Sequence, residues 1–138
     1  MAVNVAFGFD FGSRRIGIAV GNGITGQARA LTVITQTDWP ALAKLIEQWH
    51  PQALIVGLPL DADGNDQAIT RRTRGFMNGL RERFKLPVHA VDERYSTIEA
   101  ADRLRAARAR GSRSKRLRKG DTDAVAAQVI LESWLETL

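Results

Sequence analysis

The chain has 138 residues and 44% hydrophobic residues, which is enough for one ordinary domain with a core of its own. It contains no cysteine, which excludes disulfides, thiolate zinc sites and cysteine nucleophiles and is typical of a cytoplasmic protein. The longest apolar run, ALIVGLPL at 53–60, is far shorter than the roughly 20 residues that cross a bilayer. The N-terminal residues lack a basic targeting segment. We therefore expect a single domain over residues 1–138, without a membrane span.

The net charge of +5 is distributed unevenly along the chain. Residues 103–120 contain nine basic and no acidic side chains, whereas the remaining residues contain 11 basic and 15 acidic side chains, a net of −4. A concentrated basic segment on an otherwise acidic domain indicates a polyanionic partner. The alternative is a solvated helix face that runs into a loop. We favour nucleic acid as the partner.

The chain begins with two predicted strands, at 3–11 and 14–21, which form a hairpin, and a third strand follows at 28–35. Side chains alternate across a strand, so Phe7, Phe9 and Phe11 share an apolar core face. Asp10 lies on the opposite face between Gly8 and Gly12. An ionised carboxylate in a sheet needs a partner or a metal, and the glycines predict close approach by a ligand or another backbone.

The rest of the chain alternates helices and strands. A helix capped by Asp38 ends at Pro51, a buried strand covers 53–58, and a turn at 61–66 leads to a helix with Ile69, Phe76, Leu80 and Phe84 inward. A strand at 88–92 precedes a capping box at 96–99, which opens a third helix. The last helix starts near 121 with six apolar residues on one face: Ala127, Ile130, Leu131, Trp134, Leu135 and Leu138. These elements predict an α/β fold in which helices cover a mixed sheet whose first three strands are antiparallel.

Three further acids are candidates to join Asp10. Asp123 precedes Ala127 by four residues and so lies on the buried stripe of the last helix, whereas Asp121 is typical of a cap or first-turn acid. Asp92 and Glu93 end the fifth strand, where α/β sheets present ligand-binding groups. Alternation places these two on opposite faces, and spacing alone does not choose between them. The alternative for either is an ion pair with Arg94 or a solvated strand end.

Carboxylates without neighbouring histidine or cysteine ligands favour a hard cation such as Mg²⁺ or Mn²⁺. Such a metal neutralises the clustered acids, activates water and stabilises the charge that develops on a phosphodiester. Together with the basic segment, this chemistry indicates a nuclease. The sequence does not favour a nucleophilic triad, because His50 and His89 have no triad partners in the sequence pattern. It also lacks the G-x-x-x-x-G-K-[ST] loop of P-loop nucleotide-binding proteins.

Four ordered blocks of the chain resemble the YqgF family, also called RuvX, of Holliday-junction-resolvase-like proteins. The blocks are FDFGSRRIGIAVG, VGLPLDADGNDQA, VDERYSTIEA and KGDTDAVAAQVILESWL. The resemblance implies a ribonuclease H-like fold with a five-stranded mixed sheet, and catalytic, metal-binding acids at Asp10, Glu93 and Asp123. It thereby selects Glu93 over Asp92.

The resemblance also implies a function, which we state as an expectation. Family members are associated with processing the 5′ end of the small-subunit ribosomal RNA precursor, and some with resolving branched DNA junctions. We expect a metal-dependent endonuclease that acts in ribosome biogenesis and contacts ribosomal particles. The alternatives are a resolvase-like DNA endonuclease or a non-catalytic ribosome-assembly factor that binds nucleic acid.

The basic segment predicts where the nucleic acid backbone would be held. Residues 111–120 contain a single apolar side chain, so we expect a mobile arm that grips phosphates with Arg113, Lys115, Arg116, Arg118 and Lys119. If the arm is only a solvated loop, the alternative surface lies along Arg71, Arg72 and Arg74.

Overall fold

The structure, a computed structural model, describes residues 3–36, 38–95, 102, 103, 106 and 119–138, and the side chains of residues 95 and 119–123 are outside this description. The elements in chain order are β1 (Val5–Phe11), β2 (Arg15–Asn22), β3 (Gln27–Thr35), α1 (Trp39–Trp49), β4 (Ala53–Leu58), α2 (Ala68–Phe84), β5 (Val88–Asp92), a short 3₁₀ turn (Glu93–Tyr95) and α3 (Lys119–Leu135). None of the helices in the described part of the chain is long and apolar enough to cross a membrane.

The five strands form one mixed sheet in the order β3-β2-β1-β4-β5. β2 pairs antiparallel with both β1 and β3, whereas β4 pairs parallel with β1 and β5. The predicted mixed sheet with three antiparallel opening strands is thereby confirmed. Because β1, β4 and β5 run in the same direction, their carboxyl ends meet at one edge of the sheet, where α/β proteins bind ligands.

One face of the sheet packs against α1 and α2. Phe7 and Phe9 are fully buried there, and the ring of Phe76 from α2 lies 5.5 Å from that of Phe9 and 5.2 Å from that of Phe11. Helix α1 begins where the side chain of Asp38 accepts a hydrogen bond of 3.1 Å from the Ala41 amide, as the capping pattern predicts. The apolar alternation of β1 therefore identifies the face on which the larger core lies.

The other face packs against α3, which fills the space that the glycines of β1 leave. A Cβ atom on Gly8 would lie 2.6 Å from the Leu131 Cβ and 2.9 Å from the Ala127 carbonyl oxygen. Of the two alternatives that the glycines predicted, a ligand or another backbone, the second is confirmed at Gly8, because the backbone and side chains of α3 occupy that space and leave no room for a ligand. Leu138 was predicted to lie on the buried face of this helix. This prediction is wrong, because Leu138 follows the end of α3 and is 63% exposed.

Gly8→Ala is expected to lower the free energy of unfolding by about 2–3 kcal/mol, because the added methyl group forces α3 away from the sheet. Gly75→Ala serves as the control, since Gly75 is exposed on α2 and a Cβ there meets nothing within 4 Å. The control should gain about 0.5–1 kcal/mol from better helix propensity. Urea denaturation measures both variants, and a Gly8→Ala protein as stable as the wild type would contradict this packing of α3.

Candidate active site

Asp10 lies where β1 passes beyond its pairing with β4. The β1–β4 ladder ends at Phe9 and Val56, so Asp10 and Gly57 are each one residue beyond the last paired position. On its other side, Asp10 still pairs with Gly17 of β2. The strand therefore fixes the backbone of Asp10 while its carboxylate stands at the edge where the parallel strands end.

A cavity of about 330 Å³ opens at this edge and contains two of the predicted acids. It is lined by Asp10, Phe11, Gly12, Gly57, Pro59, Ile69 and Glu93. Helix α2 contributes Ile69, and the hydroxyl of the buried Thr70 donates a hydrogen bond to the Pro59 carbonyl, which ties the start of α2 to the end of β4. Residues from β1, β4, α2 and the end of β5 thus converge on one pocket.

Gly57 makes the approach of Glu93 to this pocket sterically feasible. A Cβ on Gly57 would lie 2.8 Å from the Glu93 Oε1 and 2.5 Å from the Ile130 Cδ1. Glycine inside an otherwise buried strand marks close approach of another group, and here the carboxylate of Glu93 and the side chain of Ile130 occupy that space. The sequence carried this signal, a glycine within the run at 53–60, but sequence analysis did not assign it to the site.

Asp92 has different neighbours from Glu93. Its Oδ2 lies 2.8 Å from the Arg94 Nη2, and its Oδ1 accepts bonds from the Arg94 amide and Nε at 3.0 and 3.2 Å. The side-chain hydrogen bond from Arg94 outweighs burial and lowers the pKa of Asp92 from its ordinary 3.8. Asp92 therefore forms the ion pair that was the alternative interpretation of this strand end, whereas Glu93 lines the cavity.

The Asp92–Arg94 pair predicts a pH dependence of stability. A carboxylate whose pKa is lowered by folding stabilises the fold above its unfolded pKa, and this stabilisation is lost as the pH falls through the folded value. Asp92→Asn should cost about 1 kcal/mol or less at pH 7, the range for ion pairs near solvent. Urea denaturation across pH should show this difference shrinking below pH 3.8. A difference that stays constant into acid would contradict the assignment.

Asp123 lies near the start of α3, and its side chain is outside the described residues. Asp123 was predicted to lie on the buried face of this helix because of its spacing to Ala127 and Ile130, and those two residues do pack against the sheet. Asp121 falls in the first turn of α3, as expected for a first-turn acid, and its side chain is also outside the description. The roles of both acids remain predictions.

The carboxylates of Asp10 and Glu93 are the type of ligand that a hard cation binds, but two carboxylates are too few for a complete metal site. Asp10 and Glu93 offer only carboxylate oxygens to the cavity, the ligands that Mg²⁺ and Mn²⁺ prefer. His50 ends α1, and His89 stacks on Trp134 with ring centres 5.5 Å apart, so neither lines the cavity. Among the residues whose side chains are described, no group of three or more acids or histidines is placed to hold a metal. A complete site would need a further ligand, and Asp123 is our candidate.

The predicted nucleic-acid-binding arginines of α2 differ in their contacts. Arg74 forms a two-bond ion pair with Asp66, at 2.9 and 3.0 Å. Arg72 instead donates to the Ser13 carbonyl and to the Gln36 side chain. Arg71 is exposed beside them. The charge of Arg74 is thus locally compensated, whereas Arg72 lies against the turn between β1 and β2.

Most of the predicted arm, residues 111–118, is outside the described part of the chain, as is the capping box at 96–99. Lys119 and Gly120 belong to α3, so the arm would end two residues earlier than predicted. Adding residues to an anchored helix costs little once its packed turns have formed. Arg103, the first residue of the basic segment, is helical, and its Nη1 lies 2.6 Å from the Glu132 Oε2.

The sheet order and the acids at its carboxyl edge define a ribonuclease H-like α/β protein, and solved structures with this fold are similar. T. thermophilus RuvC in complex with a Holliday junction substrate matches with a TM-score of 0.59 and 16% identity, over 97% of this chain and 96% of that one. The fowlpox virus Holliday junction resolvase matches with a TM-score of 0.56 and 13% identity, over 97% and 99%. At these identities the likeness concerns the fold.

Sequence comparison identifies the family. Residues 4–137 match the family model described as "RuvX: Holliday junction resolvase". A protein of Xylella fastidiosa named "Putative pre-16S rRNA nuclease" is 49% identical over 95% of this chain and 86% of its own. A Pseudomonas putida protein of the same name is 43% identical, over 97% and 96%. The chain therefore belongs to the RuvX family, as the four sequence blocks predicted.

Proposed function

We propose that this protein is a metal-dependent endonuclease that hydrolyses phosphodiester bonds in structured nucleic acid. The observation that carries the proposal is the convergence of Asp10 and Glu93 on one cavity at the carboxyl edge of the sheet. Two carboxylates in one pocket repel each other, and a divalent cation relieves that repulsion. The family and the ribonuclease H-like fold agree with this chemistry.

The substrate that we favour is the precursor of the small-subunit ribosomal RNA, cleaved at its 5′ end during ribosome biogenesis. Support comes from relatives at 43% to 49% identity that are named for a pre-16S rRNA nuclease. A four-way DNA junction is the second candidate, because the family description and the solved neighbours name Holliday junction resolvases. Ribosomal particles are the corresponding partners for the first candidate.

In this proposal Asp10, Glu93 and Asp123 hold Mg²⁺ or Mn²⁺. The metal, when bound, supplies an activated water and stabilises the negative charge that develops on the phosphodiester. The chain's own contribution is to fix the ligands. β1 holds Asp10, the absence of a side chain at Gly57 leaves space for Glu93, and Phe11 and Ile69 add apolar side chains to the lining of the same cavity.

Basic residues would hold the substrate beside the acids. The arm residues Arg113, Lys115, Arg116 and Arg118, together with Lys119 at the start of α3, offer five positive charges to the phosphate backbone. Such contacts position a nucleic acid without reading its bases. Binding should therefore be strongly dependent on salt and weakly dependent on sequence.

The experiment is cleavage of a labelled ribosomal RNA precursor and of a labelled four-way DNA junction by the purified protein, with Mg²⁺, Mn²⁺ or EDTA. Metal-dependent cutting of the RNA at one position supports the favoured function. Metal-dependent, paired nicks in the junction alone support the second. Binding of either substrate without metal-dependent cutting would overturn both and favour a non-catalytic assembly factor.

A further inference from the structure

We propose that Arg72, held in position by Gln36, is a phosphate-contacting residue at the side of the candidate active site. The inference rests on the proposed function and deepens it. It selects one arginine among the three predicted on α2 and assigns Gln36, which sequence analysis did not single out, as its positioning residue.

The first observation is that Gln36 fastens the turn between β1 and β2. Its side-chain Nε2 donates to the carbonyl oxygens of Gly12 and Ser13 at 2.7 and 3.1 Å, and its backbone amide donates to the Arg14 carbonyl at 3.1 Å. Three successive carbonyls of the turn therefore accept hydrogen bonds from one residue. This turn begins two residues after Asp10.

The second observation is that Arg72 is fixed against the same turn. Its Nη2 donates to the Gln36 Oε1 at 2.9 Å and to the Ser13 carbonyl at 3.3 Å, and its guanidinium carbon lies 6.0 Å from the centre of the Phe11 ring. Those two bonds use the donors of one guanidinium nitrogen. A guanidinium has five N–H donors, so among the contacts of the described residues three remain on this exposed side chain, one on Nε and two on Nη1.

The third observation is where this guanidinium lies relative to the acids. Phe11, which it contacts, and Gly12, which Gln36 fastens, both line the cavity that contains Asp10 and Glu93. A phosphodiester that approaches two carboxylates needs positive charge nearby to offset their repulsion. Arg72 supplies such a charge at the side of the cavity, with N–H donors on Nε and Nη1 for charge-assisted hydrogen bonds to phosphate oxygens.

The contacts of Arg72 also lower the cost of binding. A side chain that is already held by Gln36 and Ser13 loses less conformational entropy when it contacts a phosphate than a solvated arginine does. Arg74 differs, since its guanidinium is already engaged by the carboxylate of Asp66. The structure therefore divides the three predicted arginines into one that is ion-paired, Arg74, one that is exposed, Arg71, and one candidate phosphate contact, Arg72.

The test is the affinity of each protein for a labelled RNA hairpin and a labelled DNA junction, measured in EDTA over a salt series so that no cleavage is needed. Arg72→Gln is expected to weaken binding about tenfold and to flatten the slope of log K against log salt by roughly 0.7–0.9. Lys44→Gln, which removes a charge from an exposed position on α1, should leave both unchanged.

Two further variants separate phosphate contact from bracing of the turn. Arg72→Lys keeps the charge but has three N–H donors instead of five, so it cannot keep the bonds to Gln36 and Ser13 and also offer three donors to a phosphate. It should keep the salt slope and lose about threefold to tenfold in affinity. Gln36→Ala keeps the charge of Arg72 but releases it, so it should weaken binding about twofold to fivefold at an unchanged slope. These outcomes, with thermal midpoints close to the wild type, support the proposal.

If Arg72→Gln binds the nucleic acids with wild-type affinity and with the wild-type slope of log K against log salt, the inference about Arg72 is overturned, while the proposed nuclease function is unaffected. A loss of affinity that appears equally in Arg72→Gln and Gln36→Ala, with the same change of slope, would assign Arg72 to the turn alone and would also overturn it. A wild-type protein that binds neither nucleic acid would overturn the proposed function itself. The three failures are therefore distinguishable.

Discussion

Asp10→Asn is expected to lower the cleavage rate about a thousandfold or more while the fold and the affinity for nucleic acid persist. The substitution removes a charge but almost no volume from the end of β1, whose pairing with β2 continues on either side of it. Loss of a metal ligand removes several kcal/mol of transition-state stabilisation, and each 1.36 kcal/mol is about tenfold in rate. Single-turnover cleavage of a labelled substrate measures the effect.

The matched control for this substitution is Asp63→Asn, which makes the same chemical change on an exposed loop between β4 and α2. The control should cleave at the wild-type rate. Binding in EDTA and the circular dichroism spectrum should be the same for all three proteins. An Asp10→Asn protein that cuts as fast as the wild type would remove Asp10 from the catalytic site.

Glu93→Gln is expected to slow cleavage about a hundredfold or more, whereas Asp92→Asn should slow it less than about tenfold. The reason is the different neighbours of these adjacent acids. Glu93 lines the cavity with Asp10, and Asp92 is engaged by Arg94. The two substitutions are the same in chemistry and differ in position by one residue, so each serves as the control for the other. Small and equal effects would mean that the second ligand lies elsewhere.

The strands and the larger core could be predicted because they depend on local pattern. Alternation in β1 places Phe7 and Phe9 in the core, and the continuous apolar run of β4 matches a strand that is buried along its whole length. The cap at Asp38 and the end of α1 at His50 follow from local turn chemistry. Such signals need no knowledge of what packs against them.

The contacts that shape the site could not be predicted in the same way, because they join residues far apart in the chain. Gly57 matters because Glu93 lies over it, and Arg72 matters because Gln36 and Ser13 accept its hydrogen bonds. Gly8 was predicted to lie close to a ligand or to another backbone, because a missing side chain signals close approach without saying by what. In the structure the approaching group is α3.

The choice between Asp92 and Glu93 shows where local reasoning stops. Alternation along a strand correctly separates the environments of the two acids but does not say which faces the cavity. The answer depends on Arg94, which engages Asp92, and on the space that Gly57 leaves on the neighbouring strand. The family resemblance favoured Glu93, and the geometry agrees with that choice without testing its role.

The central claim is that Asp10 and Glu93 together hold the divalent metal of the proposed nuclease, and the most direct measurement is Mn²⁺ binding followed by electron paramagnetic resonance. Free Mn²⁺ gives a six-line signal that weakens on binding, so titration reports affinity without any substrate. We predict that the wild-type protein binds Mn²⁺, and that Asp10→Asn and Glu93→Gln each weaken binding about tenfold or more, whereas Asp92→Asn does not. Wild-type affinity in both Asp10→Asn and Glu93→Gln would contradict the claim.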